Sequence, residues 1–185
     1  MIRTQIARAE GHVIAAIRSV RAADLAALGD FFAGLSEQSR YLRFFAPVTP
    51  GPDLLRLLSG GDGHTDAVVA VRGGVIIGHA MAADQAGTRD ARTTDIGVVV
   101  ADAWQGRGIG SALVRALVTG AEARGVTRLT MDVLPGNQRM LAMIRSNWPT
   151  ASFSRCDDYL SVHVRLAHGQ QQRSLAQPAA LAYAG

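Results

Sequence analysis

The chain has 185 residues, 48% hydrophobic and 18% charged, a balance that excludes a disordered polymer and supplies enough apolar material for one buried core. Its net charge is +4 and all 19 basic residues are arginine, scattered rather than clustered, which argues against nucleic acid as a partner and favours small anionic ligands. The single Cys156 excludes an internal disulfide, no apolar run reaches the roughly 20 residues of a bilayer span, and the first residues lack a signal peptide's apolar stretch, so a cytoplasmic protein without membrane association is expected.

Residues 12–20 read as a first strand, and Ala22-Ala23-Asp24 as the cap of a helix from Leu25 to Leu35. Ser36 caps a second short helix that runs to Phe45 and is closed by Pro47; Tyr41, Phe44 and Phe45 stand at core-like spacing on it. A further helical turn or two covers 53–58. Residues 67–72 and 75–81, joined by Gly73-Gly74, read as a hairpin. A polar loop over 86–92 leads to a strand from Thr93 to Val100. Then come a helix over 111–124 ended by Gly125, a strand over 126–134, a helix over 137–146 with Asn137 at its N-cap, and strands at 153–156 and 159–166. Residues 168–185 show no amphipathic period and are expected to form a mobile tail after a single domain over 1–167.

The stretch Asp95-Ile-Gly-Val98-Val99-Val100-Ala-Asp-Ala-Trp-Gln105-Gly106-Arg107-Gly108-Ile109-Gly110-Ser111 carries the chemistry. An apolar strand runs into glycines at alternate positions and then into a helix start. Amides without a shielding Cβ, at the positive end of a helix dipole, form an anion site suited to a phosphate or pyrophosphate. A Walker A loop needs a lysine, and the chain has none. A dinucleotide fingerprint needs a third glycine where Ser111 stands, although Asp132 lies near the place of a ribose-binding acid. The pattern [Gln/Arg]-x-x-Gly-x-[Gly/Ala] is matched in full by Gln105 to Gly110.

With this loop, and with Val98-Val99-Val100 before it and Leu134-Pro-Gly-Asn137-Gln-Arg-Met140-Leu141 after the next strand, the chain resembles the GNAT N-acetyltransferase superfamily. Leu35-Ser-Glu-Gln-Ser-Arg-Tyr-Leu-Arg-Phe-Phe-Ala-Pro47 resembles a segment of the Pat-type bacterial protein lysine acetyltransferases. The resemblance implies an α/β (α+β) GNAT fold: a mixed, mostly antiparallel sheet of about seven strands, helices on both faces, and a splayed strand pair for acetyl-CoA. It implies acetyl-CoA as cosubstrate, held by Val98, Val99, Val100, Gln105, Gly106, Arg107, Gly108, Ile109, Gly110, Ser111, Asn137 and Met140. It also implies a protein lysine as acceptor, for instance on an acyl-CoA synthetase. Asp95 matches the position of the Pat-type catalytic Glu. Its carboxylate sits one methylene, roughly 1–1.5 Å, further back, a gap one water can bridge. Asp84 and Asp90 are reserve carboxylates, and the amide of Val98 or Val99 is the expected oxyanion donor. Ile144 stands where many GNAT enzymes carry an acid tyrosine. His79 and His163 have no partner at ligand spacing, so no metal is expected. A small-amine acetyltransferase and a non-catalytic acyl-CoA sensor are the alternative readings.

Overall fold

The computed structural model describes residues 5–9, 12–60, 64–85 and 92–166. Residues 86–91 of the expected polar loop, with Asp90, and the expected tail at 168–185 lie outside the described residues. The elements follow the order β1 (Gln5–Ala9), β2 (His12–Ser19), α1 (Leu25–Ala33), α2 (Glu37–Phe44), α3 (Pro52–Ser59), β3 (Thr65–Arg72), β4 (Val75–Asp84), β5 (Thr93–Val100), α4 (Ile109–Ala123), β6 (Arg128–Val133), α5 (Gln138–Asn147), β7 (Ser152–Cys156) and β8 (Tyr159–Arg165). They form one mixed sheet in the order β1-β2-β3-β4-β5-β6-β8-β7. The sheet has eight strands where about seven were expected. The addition is β1, five residues too short for a period to emerge, which forms by pairing antiparallel to β2 across an irregularity at Ala7/Arg8.

Helices cover both faces. Under α4 and α5 lies the larger core, including Ile17, Val68, Leu113, Leu117, Leu129, Met131 and Ile144. Under α1–α3 lies a smaller one, built on Leu28, Phe31, Phe32, Leu58 and Val99. Helix α4 begins at Ile109, two residues before the expected start, because Gly108 in a left-handed conformation turns the chain directly into it. Asp24 does not cap α1. Its carboxylate accepts the Arg21 amide at 2.8 Å, closing a 3₁₀ turn over Ala22–Asp24, and receives Arg18 through two bonds of 2.6 and 2.9 Å. Ser36 does cap α2, accepting the Ser39 amide at 3.1 Å.

The aromatic face of α2 is the reverse of the expectation. Tyr41 and Phe45 are 44% and 37% exposed, and only Phe44 packs inward, 5.6 Å from the Phe32 ring. The inward stripe of α2 carries Ser39 and Arg43 instead, four residues apart and therefore on one face. A polar stripe turned inward marks the place where the sheet beneath is not filled by core.

Strands β5 and β6 run parallel but pair only over Thr93↔Arg128, Thr94↔Leu129 and Asp95↔Thr130. Beyond Asp95 they part. β6 continues against β8 through Val133↔Leu160, and β5 continues against β4 alone.

Candidate active site at the parted strands

The glycine turn stands at the mouth of this gap. Gly106 and Gly108 have φ of +75° and +77°, a region closed to most side chains, and a Cβ at either would meet no protein atom within 4 Å. The loop is bare toward open space. Gly108 is the N-cap of the fifteen-residue α4, and no side chain caps it; the first helical bond is Ala112 N–H to the Gly108 carbonyl at 3.0 Å. The amides of Ile109, Gly110 and Ser111 are thus the orphan donors of a helix N-terminus, a cradle that fits a pyrophosphate.

The cleft above them has a volume of about 640 Å³ and is lined by Val98–Val100, the loop, and Asn137, Arg139, Met140 and Met143. Ile109 contributes backbone only, its side chain being core, and Asn137 caps α5 by accepting the Met140 amide at 3.2 Å. Arg107 does not line the cleft; its guanidinium lies 5.0 Å over the Trp104 ring.

Strand pleating decides which amide faces the gap. Gln85 N–H bonds to the Thr93 carbonyl and Ala101 N–H to the Ile77 carbonyl, so odd-numbered residues of β5 turn their backbone groups toward β4. Even-numbered ones face β6. Val98 therefore presents its N–H and C=O to the open gap, whereas the Val99 amide is committed to β4, opposite His79. Of the two expected oxyanion donors, Val98 has the geometry. The Val100 carbonyl, also facing the gap, is taken by Gln105 Nε2 at 3.0 Å.

A second cavity of about 290 Å³ continues from the cleft past Arg43, Val98 and Met140, and Asp95 and Asp132 line it. Burial pushes the Asp95 carboxyl up. The Thr130 hydroxyl, donating at 3.1 Å, opposes this, the charge of Asp132 adds to it, and the Arg43 cation counteracts it. A carboxylate raised in this way is closer to the working range of a general base. Arg43 lies over Gly97, and burial lowers its guanidinium to about 10, so it remains a cation at neutral pH. Asp84 is not a second base: it accepts the Thr94 hydroxyl at 3.0 Å and pairs with Arg124 at 3.6 Å. Ile144 is fully buried in the core, and His79 is buried with Nε2 2.8 Å from the Leu58 carbonyl.

Helix α2 is tied to the loop. The Ser36 amide and hydroxyl and the Ser39 hydroxyl all donate to Asp102, at 3.0, 2.7 and 2.7 Å; Gln105 Nε2 reaches Ser39 Oγ at 3.0 Å, and Arg139 reaches Gln105 Oε1. Ser39, Arg43, Asp102 and Arg139 were not among the expected site residues. The first two lie inside the Leu35–Pro47 motif, whose spacing alone does not say which face meets the sheet.

The acetyltransferase (GNAT) family model matches residues 35–147, which contain every feature just described. The chain belongs to the GNAT acetyltransferase family. It is accordingly an acetyl-CoA-dependent GNAT acetyltransferase, with the family's fold. The GNAT domain of S. lividans PAT is 26% identical, covers 89% of this chain and 96% of its own, and superposes with a TM-score of 0.78. The ribosomal-protein-alanine N-acetyltransferase of Brucella melitensis (22% identity, 81% and 99% coverage, TM-score 0.65) shares the fold. So does yncA of Salmonella typhimurium, solved with its cofactor acetyl-CoA (19%, 90% and 99%, 0.63). For this GNAT acetyltransferase the dinucleotide reading falls away, and Asp132 belongs to the second cavity rather than to a ribose.

Proposed function

We propose that this GNAT acetyltransferase transfers the acetyl group of acetyl-CoA directly to a lysine side chain of a protein. The observation that carries the acceptor class is the rim of the Asp95 cavity. Phe45 lines the cavity while 37% exposed, and its ring meets that of Tyr159 edge-on at 5.8 Å. An apolar rim around a carboxylate-lined opening suits a side chain presented from a macromolecular surface.

The chain's own groups divide the work. Amides at the start of α4 hold the pyrophosphate. The Val98 backbone, facing the gap, pairs with the pantetheine arm and donates to the acetyl oxygen as negative charge develops there. A lysine ammonium has an ordinary pKa of about 10.4 and is not a nucleophile until it loses a proton. Asp95 takes that proton, directly or through one water. The amine nitrogen then bonds to the acetyl carbon, the C–S bond breaks, its electron pair leaves with the CoA sulfur as thiolate, and the nitrogen releases its second proton to solvent as the neutral amide forms. No acid faces the sulfur from the Ile144 position, and a thiolate leaves without one.

The test is thiol release from acetyl-CoA with acyl-CoA synthetases and with a panel of small amines, using wild type and Asp95→Asn. Release on the synthetases, lost in the variant, is the expected result. Release on small amines alone overturns the protein-lysine assignment, and acetyl-CoA binding without release on either panel makes the chain a sensor.

A further inference from the structure

We infer that Asp132 is the docking carboxylate for the cationic head of the acceptor, and that Phe45 and Tyr159 flank the alkyl arm behind that head; this rests on the lysine reading above. Asp132 is exposed on β6, two residues after Thr130 and therefore on the same face of the sheet as Thr130 and its partner Asp95. Both carboxylates line the 290 Å³ cavity. They are not equivalent. Asp95 is engaged by the Thr130 hydroxyl and lies next to Arg43, whereas no hydrogen bond among the described residues engages Asp132.

The charges of the cavity do not cancel. Arg43 is its one cation among the lining residues, and its buried Nε has no hydrogen-bond partner; against it stand two carboxylates. The surplus is one negative charge, which one incoming ammonium neutralises. An acidic acyl or acceptor group would add to the surplus.

The walls suit an arm rather than a bare ion. Phe45 closes α2 in a left-handed conformation, φ 60°, and its ring meets that of Tyr159 edge-on, 5.8 Å between centroids. Tyr159, at the start of β8, lies close enough to Asp132 that the charge of Asp132 is the leading cause raising its phenol. Asp132 and Phe45 thus line one cavity, with the Tyr159 ring edge-on against Phe45, a setting for a methylene chain that ends in a cation. The ammonium is held at Asp132 and gives up its proton further in, at Asp95.

The test uses two readouts on the full chain. In the first, the KM for the unacetylated synthetase as acceptor should rise about tenfold in Asp132→Asn, the worth of one charge-assisted contact, with the KM for acetyl-CoA unmoved, and Asp132→Glu should restore most of it. In the second, n-butylammonium and neutral pentanol are titrated against the CoA-bound protein by NMR. The cation should bind the wild type and lose about tenfold in Asp132→Asn, pentanol should not distinguish the two, and Phe45→Ala should weaken both. Equal butylammonium binding by wild type and Asp132→Asn overturns the inference. Wild type that acetylates no synthetase yet discriminates butylammonium in this way overturns the lysine assignment and leaves the cation subsite standing.

Discussion

The guanidinium of Arg43 occupies the space that a side chain at Gly97 would fill: a Cβ there would run into its Cζ and both terminal nitrogens. Helix α2 brings the arginine in from above the sheet, and β5 makes room for it with a residue that has no side chain. The contact places a cation beside Asp95, two residues earlier on the same strand face.

Gly97→Ala should therefore separate stability from activity. Alanine is the better strand residue by up to about 1 kcal/mol, and the atoms it displaces are the end of a flexible side chain. Thermal stability should stay within that range of wild type, while kcat/KM falls on the order of 10–100-fold as Arg43 leaves its place. Full activity in the variant would show that the position of Arg43 does not matter to catalysis.

Asp95→Asn should leave acetyl-CoA affinity intact and lower turnover on the order of 10²–10³-fold, the range for loss of a general base. In wild type, activity should fall as pH drops through the Asp95 pKa, and burial places that acid limb above the ordinary carboxylate range. Removing the Asp132 charge lowers the Asp95 pKa, so the limb should move to lower pH in Asp132→Asn. A limb that stays in place, or moves the other way, assigns it to another group.

Gly110→Ala tests the pyrophosphate cradle with little effect on the fold. The added Cβ meets only Val100 Cγ2, at an ordinary 3.8 Å, and Gly110 is already helical. The melting temperature should be unchanged or higher, while acetyl-CoA affinity measured by calorimetry drops about tenfold or more through bulk at the ligand's approach. Unchanged affinity would remove the loop from the binding site.

His79 predicts the acid sensitivity of the fold. The Leu58 carbonyl only accepts, so Nε2 carries the proton and the ring is neutral; its Nδ1 is buried without a partner. Burial, then the charge of Arg43, lowers its pKa to about 3. The unfolded chain binds a proton here near pH 6.5 and the folded chain does not, so stability is full above pH 6.5 and declines as pH falls toward 3, by up to about 1.4 kcal/mol per pH unit. His79→Gln, in urea melts at pH 7 and pH 5, should lose stability at pH 7 but show a shallower decline. An equal decline in both proteins would place the acid sensitivity elsewhere.

Local rules made much of this molecule legible before any contact was known. The glycine turn was readable because positive φ is a property of single residues, and β5 and α5 because a period, an N-cap asparagine and a Pro-Gly break lie within a few residues of each other. The same rules missed β1, whose five residues become a strand only against β2. They also turned α2 the wrong way, because its aromatics satisfy a core pattern while Ser39 and Arg43 take the inward face.

What the sequence determined by itself is the GNAT signature: the loop, the apolar strand before it and the capped helix after it, each specified by neighbouring residues. Only the tertiary structure brings the candidate site together. The parting of β5 from β6 after Asp95 depends on β6 finding β8, and whether Val98 or Val99 turns its backbone to the gap depends on which edge of β5 is already paired to β4. Arg43, Asp95 and Asp132 come from three separate elements of the chain and share one cavity only once those elements pack. A short-range pattern can specify a backbone conformation; the field around a carboxylate is set by whatever long-range packing brings beside it.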